Sequence, residues 1–294
     1  MKAEFFLQKI KEEFPEVKWE HHHFLTHGWD HLVIVLDNKM IFRAPKDVPK
    51  DLQSELFDEI QLLHYLKKKV KVGIPEYNYV SKDKSLAGYK MLSGRELKPS
   101  QFKRFTASEK EKFAKQIADF LTSLHAIPKS AVTKYHVRID NPQKDFEWFV
   151  SNTKKLLFPR LSKKEVQIIE SYFDELKVAL SHTYSNALVH NDLTWEHILW
   201  HSKNEQVNII DFSDRAFGDP ASDFAGLWEF GSKLTNRVYD LYHGKKDDTL
   251  LYRSQLYFKR IPLFIMKDAL DGYPCTFKEG YEMFKKRFKI AKIS

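Results

Sequence analysis

The sequence predicts an α+β protein in two unequal parts: a small antiparallel sheet with one inserted helix over residues 1–93, and a larger, mainly helical part over residues 94–294. Three observations carry that expectation. Short apolar runs separated by polar turns fill residues 19–92. Beyond Ser93-Gly94 the apolar residues recur at helical spacing almost to the C-terminus. That helical stretch is broken once, around residues 188–212, by two short apolar runs flanking a polar loop. With 294 residues, 43% hydrophobic content and 23 Phe, the chain has the material for a large core.

Taken in order, Met1 to Phe14 is charged and amphipathic and lacks the basic-then-apolar order of a signal peptide. Trp19 to Thr26, Leu32 to Leu36 and Lys39 to Ala44 read as strands, with Asp37-Asn38 as the hairpin turn between the last two. Leu52, Leu56, Ile60, Leu63 and Leu66 then mark a helix from Asp51 to Lys69, stopped by Gly73 and Pro75. Tyr77 to Val80 and Leu86 to Leu92 complete a five-stranded sheet around the turn Ser81-Lys82-Asp83-Lys84. In the second part, Ser108 with Glu111 reads as a capping box for a helix that buries Phe113, Ile117, Phe120, Leu121 and Leu124. Lys134 to Asp145 reads as a loop leading into an aromatic helix at Phe146-Glu147-Trp148-Phe149, and Ser162 with Glu165 opens a helix to about His182.

Composition narrows the function. The net charge of +8 raises nucleic-acid or anionic-surface binding, but the clusters at Lys67-Lys68-Lys69, Lys163-Lys164, Lys245-Lys246 and Lys285-Lys286-Arg287 are scattered and form no aromatic-interleaved stripe. They read as solvated faces, and no nucleic-acid partner is expected. No run approaches the roughly 18 apolar residues of a membrane span. With Cys275 as the lone cysteine, the chain is expected to be a cytoplasmic monomer. His21-His22-His23 reads as surface rather than as a metal site, because adjacent strand residues point to opposite faces.

The chemistry lies in Val189-His190-Asn191-Asp192-Leu193-Thr194-Trp195-Glu196-His197, followed by Val207-Asn208-Ile209-Ile210-Asp211-Phe212. Phosphoryl transfer asks little covalent chemistry of a protein. It needs a carboxylate to orient or deprotonate the acceptor hydroxyl, and metal ligands that hold a triphosphate in line. Asp192 in the loop and Asp211 at the end of the next strand supply those parts, and His197 could complete the metal site. No Walker or dinucleotide-binding glycine pattern is present.

These motifs resemble those of the aminoglycoside phosphotransferases and their macrolide- and choline-kinase relatives, with the nearest pattern in the aminoglycoside 2″-phosphotransferases. Gly218-Asp219-Pro220-Ala221-Ser222-Asp223 resembles the family's Gly-Asp-Pro-x-x-Asp signature, His27-Gly28-Trp29-Asp30 its nucleotide-loop turn, Ile41-Phe42-Arg43-Ala44-Pro45 its third strand, and Ser123-Leu124-His125 its helix-ending Leu-His. The resemblance runs from about residue 24 to 232. It implies a bilobal protein-kinase-like fold, with ATP or GTP as co-substrate, Mg²⁺ as cofactor and a small-molecule acceptor. By that resemblance Asp192 is the catalytic carboxylate, Asp211 the principal Mg²⁺ ligand, and His197 a metal-site residue standing where many members have Asn. Gly28, Trp29 and Asp30, with His31, would cover the phosphates. Arg43 would contact them, steadied by Glu59 with Glu55 as rival, and the crossover at Tyr89 to Met91 would meet the purine edge. His190 is expected to brace the loop, Asp219 and Asp223 to cap and brace, and His125 to cap its helix.

For the acceptor, acids outnumber bases between Asn186 and Asp240, which suits a polycationic aminoglycoside. Glu196, Glu229, Asp268 and Asp271 are the candidates for gripping amines. Trp228, with Phe230 and Phe264, would line a wider apolar pocket for a macrolide. A choline or sugar-like metabolite, and a catalytically silent binding module, remain as alternatives.

Overall fold

The computed structural model describes residues 3–25, 31–45 and 50–290. Helix α1 (Ala3–Glu13) is followed by β1 (His22–Leu25), β2 (His31–Leu36), β3 (Met40–Pro45), α2 (Lys50–Leu66), β4 (Tyr77–Val80) and β5 (Ala87–Lys90). The five strands form one antiparallel sheet in the order β1-β2-β3-β5-β4, with α2 inserted after the third, as expected. Asp37 and Asn38 both sit at positive φ, 48° and 52°, which short Asx side chains tolerate, and Lys39 N–H closes the turn on the Leu36 carbonyl at 2.8 Å. The first strand starts later than Trp19, because the amides of Glu20 and His21 are taken by the Asp37 carboxylate at 3.2 and 2.7 Å. Phe6 and Ile10 of α1, with Phe14 just beyond it, pack with Ile34, Leu36 and Phe42 in a small core of their own. The Leu52 side chain lies outside the described residues.

The second part opens with β6 (Arg95–Glu96) and α3 (Pro99–Phe102), then α4 (Ala107–His125), α5 (Lys129–Lys134), α6 (Pro142–Leu156) and α7 (Lys163–Leu180). Next come β7 (Ala187–Val189), β8 (Ile198–His201), β9 (Gln206–Ile209), β10 (Ala216–Gly218), α8 (Ser222–Ala225), α9 (Ser232–Leu241), α10 (Leu250–Leu270) and α11 (Phe277–Arg287). A continuous core links α2 and the sheet residues Tyr77 and Tyr89 to Phe113, Phe120, Tyr172, Phe212 and Phe224 of the helical part.

Two boundaries differ from expectation. The capping box of α4 is Thr106 with Glu109, two residues before the predicted Ser108 and Glu111. The same Ser/Thr-x-x-Glu spacing occurs twice in a row, and Glu111 instead accepts a 2.8 Å hydrogen bond from Arg237. Helix α6 begins at Pro142, where a loop was expected through Asp145. Asn141 caps it through a 3.1 Å bond from Lys144 N–H, and Pro142 occupies the first turn, where no donor is needed. The pairing of β6 with β8 was not anticipated from the two residues involved.

The two parts are bolted together beside the crossover. The Asn208 side chain on β9, 3% exposed, accepts from Gly73 N–H at 3.1 Å and donates to the Ser93 carbonyl at 2.7 Å. Gly73 is required at this contact, since a Cβ there would lie 2.2 Å from the Asn208 oxygen.

Candidate active site

Strand β7 is buried along its length and leads directly into the loop that carries Asp192. His190 is fully buried and spends both ring nitrogens: Nε2 donates to the Ile210 carbonyl at 3.0 Å, and Nδ1 accepts from Asp192 N–H at 3.3 Å. Burial lowers its pKa, which suits a neutral brace. Asp223, also fully buried, accepts from His190 N–H at 3.0 Å and Asn191 N–H at 2.7 Å, holding Asn191 in the left-handed region at φ 68°. The bracing expected of His190 and Asp223 is thus what the geometry contains. His125 does not cap α4. Its ring bridges Asp223 at 3.0 Å and the Tyr242 hydroxyl at 2.7 Å.

Asp192, His197 and Asp211 converge. The His197 ring donates from Nδ1 to the Asp192 main-chain carbonyl at 2.8 Å and stands 3.2 Å from its carboxylate, while Nε2 lies 3.7 Å from Asp211 Oδ2. Burial would lower the His197 pKa, but the flanking carboxylates outweigh it and push the value up to about 10. Asp211 adopts φ 62°, a left-handed conformation that a non-glycine residue holds only under local constraint. Its burial acts to raise the pKa, yet the charges of Arg43 and His197 and the Ser213 hydroxyl at 2.7 Å hold it well below the usual carboxylate range.

From the sheet, Arg43 reaches across to the same place. Its guanidinium donates to Glu59 at 3.1 Å, Tyr77 at 2.9 Å, His31 Nδ1 at 3.3 Å and Ser213 at 2.8 Å, and stands 3.5 Å from Asp211. Glu59, 2% exposed, is the partner. The rival Glu55 offers only its main-chain carbonyl, and that to Arg215 at 3.0 Å. His31, Tyr77, Ser213 and Arg215 were not singled out as the ring around this ion pair. Ser213, two residues beyond Asp211, had a local signal; Tyr77 and Arg215 had none.

The remaining nominated residues are placed less centrally. Tyr89 is buried, its ring packed edge-on against Tyr77 at 4.9 Å. Met91 spends its N–H on the Lys39 carbonyl at 2.7 Å, so that amide is not offered to a purine. Trp228 donates its indole N–H to Ser254 at 2.9 Å. Glu229 is paired with Arg287 at 2.8 Å, and Lys267 neutralises both Asp268 at 2.9 Å and Asp271 at 2.8 Å. Glu196 alone of the four nominated acids has no hydrogen bond or ion pair among the described residues. Burial raises its pKa against the opposing charge of His197, and the nearby carboxylates of Asp192, Glu96 and Glu229 act in the same direction as burial. Gly28, Trp29 and Asp30, with His27, lie outside the described residues. Those described residues include no group of three or more His, Cys, Asp or Glu placed to hold a metal ion by themselves, and no helix long and apolar enough to cross a membrane.

Comparison with known proteins agrees with this geometry. Viomycin phosphotransferase of Streptomyces vinaceus is 29% identical over 135 residues, 45% of this chain and 46% of that protein, so the match spans about half of its length. The fold matches aminoglycoside 2'-phosphotransferase-IIIa in its GDP complex with a TM-score of 0.87, at 24% identity, over 98% of this chain and 99% of that one. It also matches a macrolide 2'-phosphotransferase from Brachybacterium faecium with a TM-score of 0.69, at 14% identity, over the full length of both. The α+β kinase-like architecture is therefore common to this chain and the two solved structures. Residues 21–249, a span that includes Asp192, Asp211 and Gly218 to Asp223, match the sequence profile of the phosphotransferase enzyme family, and the chain belongs to that family.

Proposed function

We propose that this protein transfers the terminal phosphoryl group of ATP or GTP to a hydroxyl of a cationic antibiotic, an aminoglycoside first among them, as a cytoplasmic monomer. In this reading residues 1–93 form the nucleotide-binding lobe and residues 94–294 the catalytic and substrate-binding lobe. The observation that carries it is the convergence of Asp192 and Asp211 on the two sides of His197, with Arg43 reaching over from the sheet to within 3.5 Å of Asp211.

Asp192 accepts a hydrogen bond from the acceptor hydroxyl, aligns its oxygen with the terminal phosphorus, and takes the proton as the new P–O bond forms and the bond from that phosphorus to the bridging oxygen breaks, releasing the nucleoside diphosphate. His197 and His190 fix that carboxylate and its main chain. Arg43, steadied by Glu59, adds positive charge beside the phosphates. Asp211 suits Mg²⁺: it is a hard oxygen donor, kept ionised, with a side chain still 41% exposed, and an ion that takes one or two carboxylates plus phosphate oxygens needs no protein cage. When bound, Mg²⁺ would neutralise charge on the triphosphate, and the His197 Nε2 faces the same space. Glu196, beside Asp192 and without a hydrogen bond or ion pair of its own among the described residues, supports a cationic acceptor over a largely apolar macrolide. Viomycin is a further acceptor to test, through the matched relative.

Turnover of ATP and GTP with Mg²⁺ should be measured across kanamycin- and gentamicin-type aminoglycosides, viomycin, a macrolide and choline. The expected result is acceptor-dependent turnover that falls by about 10²–10⁴-fold in Asp192→Ala. Absence of acceptor-stimulated turnover, or its persistence in the variant, overturns the reading.

A further inference from the structure

Behind the loop that carries Asp192 lie two side chains outside the Asp192–His197–Asp211 group: His125 at the end of α4 and Tyr242 just past α9. We propose that Tyr242 is a positioning residue for the transfer step, acting through His125 and Asp223 on the main chain next to Asp192. The proposal rests on the reading above that Asp192 aligns the acceptor hydroxyl.

Donor counting sets the direction of the relay. Asp223 accepts from two main-chain N–H groups, which can only donate, and from His125 Nε2 at 3.0 Å, so Nε2 carries a proton. The Tyr242 hydroxyl lies 2.7 Å from His125 Nδ1, and no other acceptor meets it among the described residues. Nδ1 therefore accepts from the phenol, and the ring that Asp223 holds at Nε2 is held at its other nitrogen by Tyr242. Burial pushes the Tyr242 pKa up, which keeps the hydroxyl a donor.

The surroundings hold this phenol in place. Its ring packs edge-on against Phe224 at 5.4 Å and against His125 at 5.4 Å. A Cβ on Gly244 would lie 2.0 Å from the hydroxyl, so the segment closes over it only with glycine there. His243 N–H donates to Thr122 at 3.0 Å, tying the same segment to α4. The far end of the relay is Asn191, held at φ 68° between His190 and Asp192. Removing the phenol oxygen leaves every ring in place but leaves His125 Nδ1 without its donor, so the imidazole is tethered at one nitrogen and turns more freely. Its bond to Asp223 is then less firmly held, and so is the strained loop main chain that Asp223 fixes.

Tyr242→Phe keeps the buried ring, so the variant folds on the same packing. The amides of His190 and Asn191 are expected to exchange with solvent roughly fivefold faster than in the wild type. The ¹⁵N spectrum should show the Nε2–H tautomer of His125 in both proteins, with Nδ1 hydrogen-bonded in the wild type and shifted to the value of a free acceptor in the variant. With an active acceptor, kcat should fall by a similar factor while the nucleotide KM stays within about twofold. Unchanged exchange at these two amides, or faster exchange spread evenly through the helical core, overturns the proposal. If the wild type turns over no acceptor, the exchange and ¹⁵N readouts still decide this relay, and only the functional reading is lost.

Discussion

Arg253 and Arg43 are both buried, yet they are neutralised in different ways. Arg253, wholly buried on α10, is closed on itself: it forms a two-pronged pair with Asp219 at 2.6 and 2.8 Å and another with Asp247 at 2.6 and 2.9 Å, beneath the Tyr184 ring at 4.4 Å. Arg43, 6% exposed on β3, has one ion pair at 3.1 Å, three neutral polar partners, and a second carboxylate at 3.5 Å that belongs to the other part of the molecule. Two matched forks are how a fold satisfies a buried cation once and for all. A cation with a single firm carboxylate, aimed at Asp211, keeps attraction available for an anion that arrives later. On the proposed function, the contrast separates an arginine that holds the molecule together from one that serves its chemistry.

The largest effect should come from breaking the closed cluster. Arg253→Ala leaves Asp219 and Asp247 without their counter-charge and is expected to cost about 3–5 kcal/mol of stability, read from the denaturant midpoint. Asp219 opens the turn into α8, where Asp223 holds the catalytic loop, so activity should fall as the fold loosens. A loss below about 1 kcal/mol would mean that the forks do not carry the architecture.

A smaller and more selective effect is expected at the open site. Arg43→Lys keeps the charge but cannot reach Glu59, Tyr77, His31 and Ser213 together from one ammonium. The nucleotide KM should rise by about tenfold, with stability within about 1–2 kcal/mol of the wild type. Equal stability losses in the two arginine variants, with nucleotide binding untouched in this one, would erase the distinction between them.

How far this could be read beforehand depends on distance along the chain. The Asp37-Asn38 turn and the Ser162–Glu165 capping box were legible because each is decided by a few adjacent residues. Where a local signal repeats, as with Thr106–Glu109 and Ser108–Glu111, only the partner of the spare acid, Arg237, 126 residues away, settles the register. The motifs named Asp192 and Asp211 and expected a brace from Asp223, but left Glu55 and Glu59 open. One turn of helix separates those two, and the choice is made by Arg43 in the fold. The acceptor residues were the least legible. Glu229, Asp268 and Asp271 look available in the sequence, and each meets a cation of this same chain that no spacing reveals. Arg253, with no motif around it, carried no signal at all.

The smallest expected effect sharpens the comparison by pH. Asp247 is the exposed edge of the Arg253 cluster, with a side chain 25% accessible. Burial alone would raise its pKa, but the bonds from Arg253 and Thr249 outweigh that and bring it to about 2, below the 3.8 of an ordinary Asp. A carboxyl whose pKa is lower in the folded chain adds stability above its unfolded value, and that contribution drains away as pH falls through the folded one. Wild type should therefore exceed Asp247→Asn in stability above about pH 4, by about 1 kcal/mol because solvent screens this edge, and the two should converge as the pH is brought to about 2. Urea titrations of both proteins at a series of pH values measure the gap directly. A gap that stays constant down to pH 2 would show that the amide is failing on geometry rather than on charge, and that Asp219 alone neutralises Arg253.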